Sequence, residues 1–238
     1  MTQDVVLNNH LSDDFAFDEA IKTLRTNIRF CGNNIRTIML TSSTPNEGKS
    51  SITFSLASSL AETGQKTLLI DADIRKSVFV SRYHLNKDVH GLSQYLSGQV
   101  SLNSVLYSTN TENLDMIFSG PYSPNPAELL EEAGFQDLIK WAKERYDYVI
   151  IDTPPINNVI DAAIIAKECD GAVMVIESGG ISYRMAQRLK LQLEKSGCRI
   201  LGAVLNKVGR GYSGYYGKYG RYGKYDKYYG EKPESVND

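Results

Sequence analysis

The stretch Thr37-Ile38-Met39-Leu40-Thr41-Ser42-Ser43-Thr44-Pro45-Asn46-Glu47-Gly48-Lys49-Ser50 decides the fold. Thr37 to Thr41 is a short apolar run of the kind that forms a buried strand, and the loop that follows is rich in turn residues. A helix is expected next, over Ser51 to Glu62, stopped by Gly64. Ser43 to Ser50 has the spacing of a P-loop, with Ser43 standing where that motif has its first glycine. In such a loop, backbone N–H groups and the helix N-terminus wrap a β-phosphate, Lys49 reaches the β- and γ-phosphates, and the Ser50 hydroxyl can ligate Mg²⁺. A Gly-Lys pair at an ordinary helix start is the plainer reading of the string alone; the position between strand and helix argues against it. The candidate nucleotide-binding residues are Thr44, Pro45, Asn46, Glu47, Gly48, Lys49, Ser50 and Ser51.

Strand and helix patterns then alternate along the chain. Strands are expected at 66–71, 114–118, 148–152, 171–176 and 200–205, with helices at 92–96, 127–132, 135–146, 162–167 and 183–195. Before the first strand, Phe17, Ala20, Ile21, Leu24 and Ile28 recur at helical spacing within 15–30, after Asp residues suited to a helix start. The alternation implies an α/β fold, a mostly parallel sheet covered by helices on both faces, whose ligands bind at the carboxyl ends of the strands. Length favours one domain with appendages: an N-terminal segment and helix (1–31), a nucleotide-binding domain (32–208) and a tail (209–238).

Two apolar strands end in acids. Leu68-Leu-Ile-Asp71-Ala-Asp73-Ile-Arg75 carries two carboxylates at alternate positions and an arginine; Val149-Ile-Ile-Asp152-Thr-Pro-Pro155 carries one. A single Asp at a strand end is commonly a turn residue. Three on the edge where phosphates lie suit a Mg²⁺ site and a base for an incoming nucleophile.

Composition sets the outer limits. A formal net charge of −2 and a pI near 6.0 give no whole-surface attraction to nucleic acid or anionic membrane. Cys31, Cys169 and Cys198 have no CxxC spacing, and few histidines accompany them, so reduced structural thiols in cytosol are expected. No apolar run reaches the ~18 residues of a membrane span, and Met-Thr-Gln-Asp has no leader pattern; any membrane attachment needs a partner.

The segment from Gly209 to Gly230 holds eight of the fifteen tyrosines: Tyr212, Tyr215, Tyr216, Tyr219, Tyr222, Tyr225, Tyr228 and Tyr229. They stand among Gly, Lys and Arg with no helical or strand period, which is the composition of a flexible segment that presents its phenols. Arg210, Lys218, Arg221, Lys224 and Lys227 against Asp226 give it a net charge of +4.

The three motifs together with this tail resemble the bacterial tyrosine kinases of capsule and exopolysaccharide synthesis, P-loop NTPases of a deviant Walker type, over nearly the whole chain. The resemblance implies an ATP- and Mg²⁺-dependent protein-tyrosine kinase that autophosphorylates its tail, in trans, and regulates polysaccharide synthesis and export. It makes Lys49, Asp71, Asp73 and Asp152 catalytic: Asp71 and Asp73 lie in the Walker A′ motif and Asp152 in Walker B. Ser50, Asp73 and Asp152 would hold the metal, and Asp71 would accept the tyrosine proton. Glu19-Ala-Ile-Lys22-Thr-Leu-Arg25 resembles the family's Glu-x-x-Arg-x-x-Arg ring-forming helix, with Lys22 replacing a bidentate arginine by a point charge. Read from spacing alone, that helix presents a solvated charged face. Ser77 stands where the family commonly has proline after Arg75-Lys76. Asn125-Pro126 reads as a helix cap and first turn, and Asn206, at the end of the last strand, as an adenine contact or a structural cap. The implied partners are a transmembrane polysaccharide co-polymerase adaptor that activates the enzyme at the inner face of the membrane, a protein-tyrosine phosphatase, and further copies of the chain in a ring; no nucleic acid is expected.

Two other readings compete. An ATPase of the chromosome-partitioning or Min type shares the acids but has a lysine early in the loop, where this chain has Thr44, and glycines where it has Pro45 and Asn46. A nucleic-acid-binding module explains interleaved Arg, Gly and Tyr in the tail but leaves the acids idle.

Overall fold

The computed structural model describes residues 3–7, 14–83, 85, 88–156 and 160–209. The tail tyrosines therefore lie outside the described residues. In chain order the elements are β1 (Gln3–Val5), α1 (Phe15–Phe30), β2 (Thr37–Ser42), α2 (Lys49–Ala61), β3 (Thr67–Asp71), α3 (Phe79–Arg82), α4 (Leu92–Leu96), β4 (Tyr107–Thr109), β5 (Leu114–Ile117), α5 (Pro126–Glu131), α6 (Ala133–Arg145), β6 (Tyr148–Asp152), α7 (Asp161–Ala166), β7 (Gly171–Glu177), α8 (Tyr183–Lys195) and β8 (Ile200–Asn206).

All eight strands form one sheet in the order β1-β4-β5-β3-β6-β2-β7-β8. Every pairing is parallel except β4 with β5. The central strands β2 and β3 are buried along their whole length, as their uninterrupted apolar runs require when both faces are covered. Residues of alternating parity face opposite layers. Met39, Leu68, Ile70 and Ile151 join Phe135, Leu138 and Leu189 on the face of α4 to α8. Ile38, Leu40, Leu69 and Ile150 join Phe54, Leu56 and Ile28 on the face of α1 to α3.

Three elements have no counterpart in the pattern read from sequence. The strands β1 and β4 have three residues each, and α3 has four, too short for a period to register. Helix α2 begins at Lys49, two residues before the expected start, because the Ile52 N–H already reaches the Gly48 carbonyl at 3.1 Å. Asn125 precedes Pro126 as expected but makes no side-chain cap bond; its Oδ1 accepts from the Ser123 hydroxyl at 3.4 Å.

The carboxyl edge is braced where the segment before α4 meets the end of β5. Leu92 N–H donates to Phe118 O at 2.7 Å and Ser93 N–H to Ser119 O at 2.9 Å. The backbones come so close that a Cβ on Gly91 would stand 2.1 Å from Gly120 N. We expect Gly91→Ala to cost about 1–3 kcal/mol through overpacking. Gly202→Ala, whose Cβ would meet nothing within 4 Å, is expected to stay within about 0.5 kcal/mol of the parent. Urea denaturation of both variants checks this; equal midpoints would contradict the close approach.

Candidate active site

The carboxyl ends of β2, β6 and β3 are neighbours in the sheet, and their loops gather the P-loop, Asp152 and Asp73 around one cleft of about 290 Å³. Pro45, Asn46, Gly48, Lys49 and Ser50 line it from one side and Asp73 from the other. Gly48 takes φ 89°, in the left-handed region open to glycine, and a Cβ there would strike Asn206 Nδ2 at 2.0 Å. Asn46 takes φ 70°, which asparagine tolerates better than other side chains.

At the centre, Lys49 Nζ lies 2.6 Å from Asp152 Oδ2, with the two side chains only 7% and 1% exposed. The Ser50 hydroxyl donates to the same oxygen at 2.7 Å, and the Thr53 hydroxyl donates to Asp152 Oδ1 at 2.8 Å. Lysine, Walker-type serine and acid thus form one hydrogen-bonded unit. Ser50 and Asp152 supply hard oxygens of the type Mg²⁺ takes from a protein, one or two ligands with the rest from phosphates and water. Among the described residues no group of three or more acids, cysteines and histidines could hold a metal by itself.

The other sequence candidates divide. Asp73 borders the cleft, and burial raises its carboxyl pKa. Asp71 does not border it: it is fully buried, its Oδ2 accepts from the Ser77 hydroxyl and its Oδ1 from the Asp73 N–H at 3.3 Å. Burial, followed by the charge of Asp152, pushes the Asp71 carboxyl up to about 7. Glu47 turns its side chain inward, 1% exposed, and accepts from Thr44 N–H at 2.5 Å, from the Thr44 hydroxyl at 3.1 Å and from Glu177 N–H at 3.1 Å. The Thr44 amide is therefore engaged by Glu47. Asn206 Nδ2 donates to Glu47 O at 2.9 Å, a structural bond that holds the loop. Ser51 meets the Arg82 guanidinium through its hydroxyl. On α1, Glu19 and Lys22 pair at 2.7 Å on the exposed face, whereas Arg25 Nη1 donates to Ser59 O and Oγ at 2.8 and 2.9 Å, within the chain.

Two residues escaped the sequence reading. Arg82 borders the cleft from α3, an element with no visible period. Asp161 is fully buried and receives Arg75 through two bonds, Nε to Oδ2 at 2.6 Å and Nη2 to Oδ1 at 2.9 Å. Asp161 opens α7, one residue before the helix expected from sequence, where an acid has an ordinary place. Cys31, Cys169 and Cys198 are free thiols, and burial pushes the Cys198 thiol up to about 11, away from reactive thiolate chemistry.

The raised Asp71 value sets a stability slope. Between an unfolded carboxyl near ~3.9 and a folded one near 7, the folded chain holds a proton that the unfolded chain has lost, so stability is present below that window and falls as pH rises through it. Asp71→Asn is expected to lose this decline and to gain up to about 4 kcal/mol over the parent at pH 8, an upper limit from three pKa units. Thermal melts of both proteins from pH 4 to 8 check it; parallel curves would contradict a raised Asp71.

A family model described as an AAA domain matches residues 35–197. The tyrosine-protein kinase CpsD of Streptococcus agalactiae is 43% identical over 208 residues, covering 87% of this chain and 91% of that protein. The tyrosine-protein kinase YwqD of Bacillus subtilis is 40% identical over 190 residues, 79% of this chain and 80% of that one. The kinase domain of the Escherichia coli tyrosine kinase ETK superposes with a TM-score of 0.75 at 34% identity, over 83% of this chain and 80% of that one. Its P-loop, its strand-end acids and these relatives agree: the chain belongs to the bacterial tyrosine-protein kinase family.

Proposed function

We propose that this tyrosine-protein kinase transfers the γ-phosphoryl group of ATP, with Mg²⁺, to the tyrosines of its C-terminal cluster, from one copy of the chain to the tail of another. The observation that carries the reading is the buried Lys49–Asp152–Ser50 unit facing Asp73 across one cleft, in a chain that also carries Tyr212 to Tyr229. Lys49 leaves Asp152 for the β- and γ-phosphates when nucleotide enters, and the loop N–H groups hold the β-phosphate at the start of α2. Ser50 and Asp152, with Asp73 directly or through water, would hold Mg²⁺, which would supply charge neutralisation on the phosphate oxygens.

In the transfer the bond from the γ-phosphorus to the bridging oxygen of ADP breaks and a bond to the tyrosine oxygen forms. The phenol proton passes to a carboxylate, and on to solvent. Asp73 faces the cleft where that phenol arrives, while Asp71 lies behind it against Ser77. This favours Asp73 as the group that meets the proton, with Asp71 as its buried support, in place of the role the resemblance gave Asp71.

No described helix is long and apolar enough to cross a membrane. Attachment at the inner face of the membrane then rests on a transmembrane co-polymerase adaptor, which activates the kinase; a protein-tyrosine phosphatase resets the tail. The exposed Glu19–Lys22 face of α1 is the surface we assign to assembly of copies, and regulation of capsular or extracellular polysaccharide export is the role of the cycle.

The test incubates the purified chain with γ-labelled ATP and Mg²⁺, with and without the cytoplasmic segment of the adaptor. Lys49→Met should lower tyrosine labelling on the order of 10²–10³-fold, and truncation before Gly209 should abolish it. ATP hydrolysis with no protein label, even with adaptor, would move the assignment to a partitioning-type ATPase.

A further inference from the structure

The charged side chains that border the nucleotide cleft are Lys49, Asp73, Arg75, Lys76, Arg82 and Asp152. Lys49 is matched by Asp152 and Arg75 by the buried Asp161. Arg82 is exposed and pairs with no acid among the described residues. We propose that Arg82 is a further catalytic residue, whose guanidinium meets the terminal phosphate of the nucleotide from the wall opposite the P-loop. The inference rests on the kinase reading above and adds a phosphate contact from outside the three motifs.

Position is the first argument. Asp152 ends β6 and Asp73 lies two residues beyond β3, so the acids suited to Mg²⁺ stand on one side of the loop that follows β2. A metal in such a site bridges β- and γ-phosphate oxygens, which assigns the terminal phosphate to that side. The strands β7 and β8 lie on the other side of β2, and Asn206 and Lys207 hold Glu47 O and Asn46 O from there. Arg82 comes from α3, which follows β3. Its Nη1 donates to the hydroxyl of Ser51, the residue after Ser50 in the first turn of α2.

Support is the second argument. A helix of four residues cannot fix a side chain by itself. Phe79 and Tyr83 are both buried and stack with ring centroids 5.7 Å apart, and the Tyr83 ring lies 4.4 Å from that of Phe54 on α2. The Ser77 hydroxyl accepts from Phe79 N–H at 3.2 Å and donates to Asp71. Arg82 therefore stands on a turn clamped between the P-loop helix and the Asp71–Asp73 segment, the two parts that carry the rest of the site.

Chemistry is the third argument. A basic residue in the last turn of a helix ordinarily faces that helix's own carbonyls, but the Arg82 side chain crosses to α2. The Ser51 hydroxyl takes one of the five donors of a guanidinium, whose fork matches two phosphate oxygens at once. Phosphoryl transfer spreads charge over the equatorial γ-oxygens, where an arginine supplied in cis stabilises it. Lys76 borders the same cleft as a point charge on a flexible stem and lacks that fork.

The test reads nucleotide binding first, which needs no acceptor. In the full chain with Mg²⁺, Arg82→Ala is expected to raise the Kd of a fluorescent β,γ-imido analogue of ATP about tenfold and to leave the Kd of fluorescent ADP unchanged. With γ-labelled ATP and the adaptor segment, the same variant should lower kcat for tyrosine labelling about tenfold or more. Arg82→Lys, which keeps the charge without the fork, should fall between parent and Arg82→Ala. Arg82→Gln, which keeps most of the stem without the charge, should repeat the Ala result; all three should melt with the parent, because the side chain is exposed. An analogue Kd at the parent value would overturn the contact, and so would equal losses of affinity for ADP and the analogue. If the parent binds both nucleotides but labels no tyrosine, the kinase reading fails, while the two affinities still decide the role of Arg82.

Discussion

A lysine held 2.6 Å from an aspartate in the floor of the sheet is the constraint around which the site is built. Asp71 and Asp152 are register partners on adjacent strands, both almost fully buried. Burial, followed by the charge of Asp152, raises the proton affinity of Asp71, and Lys49 is the cation that lies between the P-loop and this pair. An apolar packing of the same volume would be as stable or more stable than such a buried pair. The arrangement is explained by what it keeps ready: an ammonium group stored beside the phosphates' position and an acid whose remaining contacts are hydroxyls. The left-handed turn at Gly48 and the early start of α2 at Lys49 both serve to aim that one side chain.

The loop that carries Lys49 is braced from outside by the last two strands. Glu47, buried within the loop, takes hydrogen bonds from Thr44 and from Glu177 at the end of β7. Asn206 at the end of β8 holds Glu47 O, Lys207 Nζ donates to Asn46 O at 2.6 Å, and Lys207 also pairs with Glu177 at 3.1 Å. These bonds explain how the loop keeps its shape with Ser43 in place of the first motif glycine and Asn46 in the left-handed region. They also tie the root of the tyrosine tail directly to the nucleotide-binding loop, so motion of one is felt by the other.

The central fold was legible because a parallel sheet covered on both faces demands continuous apolar strands. Thr37–Ser42, Thr67–Asp71 and Tyr148–Asp152 were found within a residue on that signal. Short elements away from the centre of the sheet, such as β4, bury only part of their surface and carry no such signature. In the site, residues recognised by local spacing were found, and all of Lys49, Ser50, Asp73 and Asp152 meet at the cleft. Those whose meaning depends on a distant partner were not. Asp161 makes sense only through Arg75, 86 positions away; Glu47 reads as a phosphate-loop residue until Glu177, 130 positions away, is seen to bond it. The depth of Asp71 was out of reach for the same reason: spacing gives a strand-end acid but not its burial behind Ser77.

The charge of the tyrosine segment also gives the proposed autophosphorylation a direction. The unmodified tyrosine segment from Gly209 to Gly230 carries a net charge of +4. Each phosphate adds about −1.5 to −2 near neutral pH, so two or three modifications cancel the charge of that segment and further ones reverse it. Asp73, which borders the nucleotide cleft, would then face a negative product in place of a positive acceptor. Release therefore needs no separate device in the fold. In the assembly of copies proposed above, the same sign change would act between crowded tails, where repulsion would grow with every transfer and favour separation.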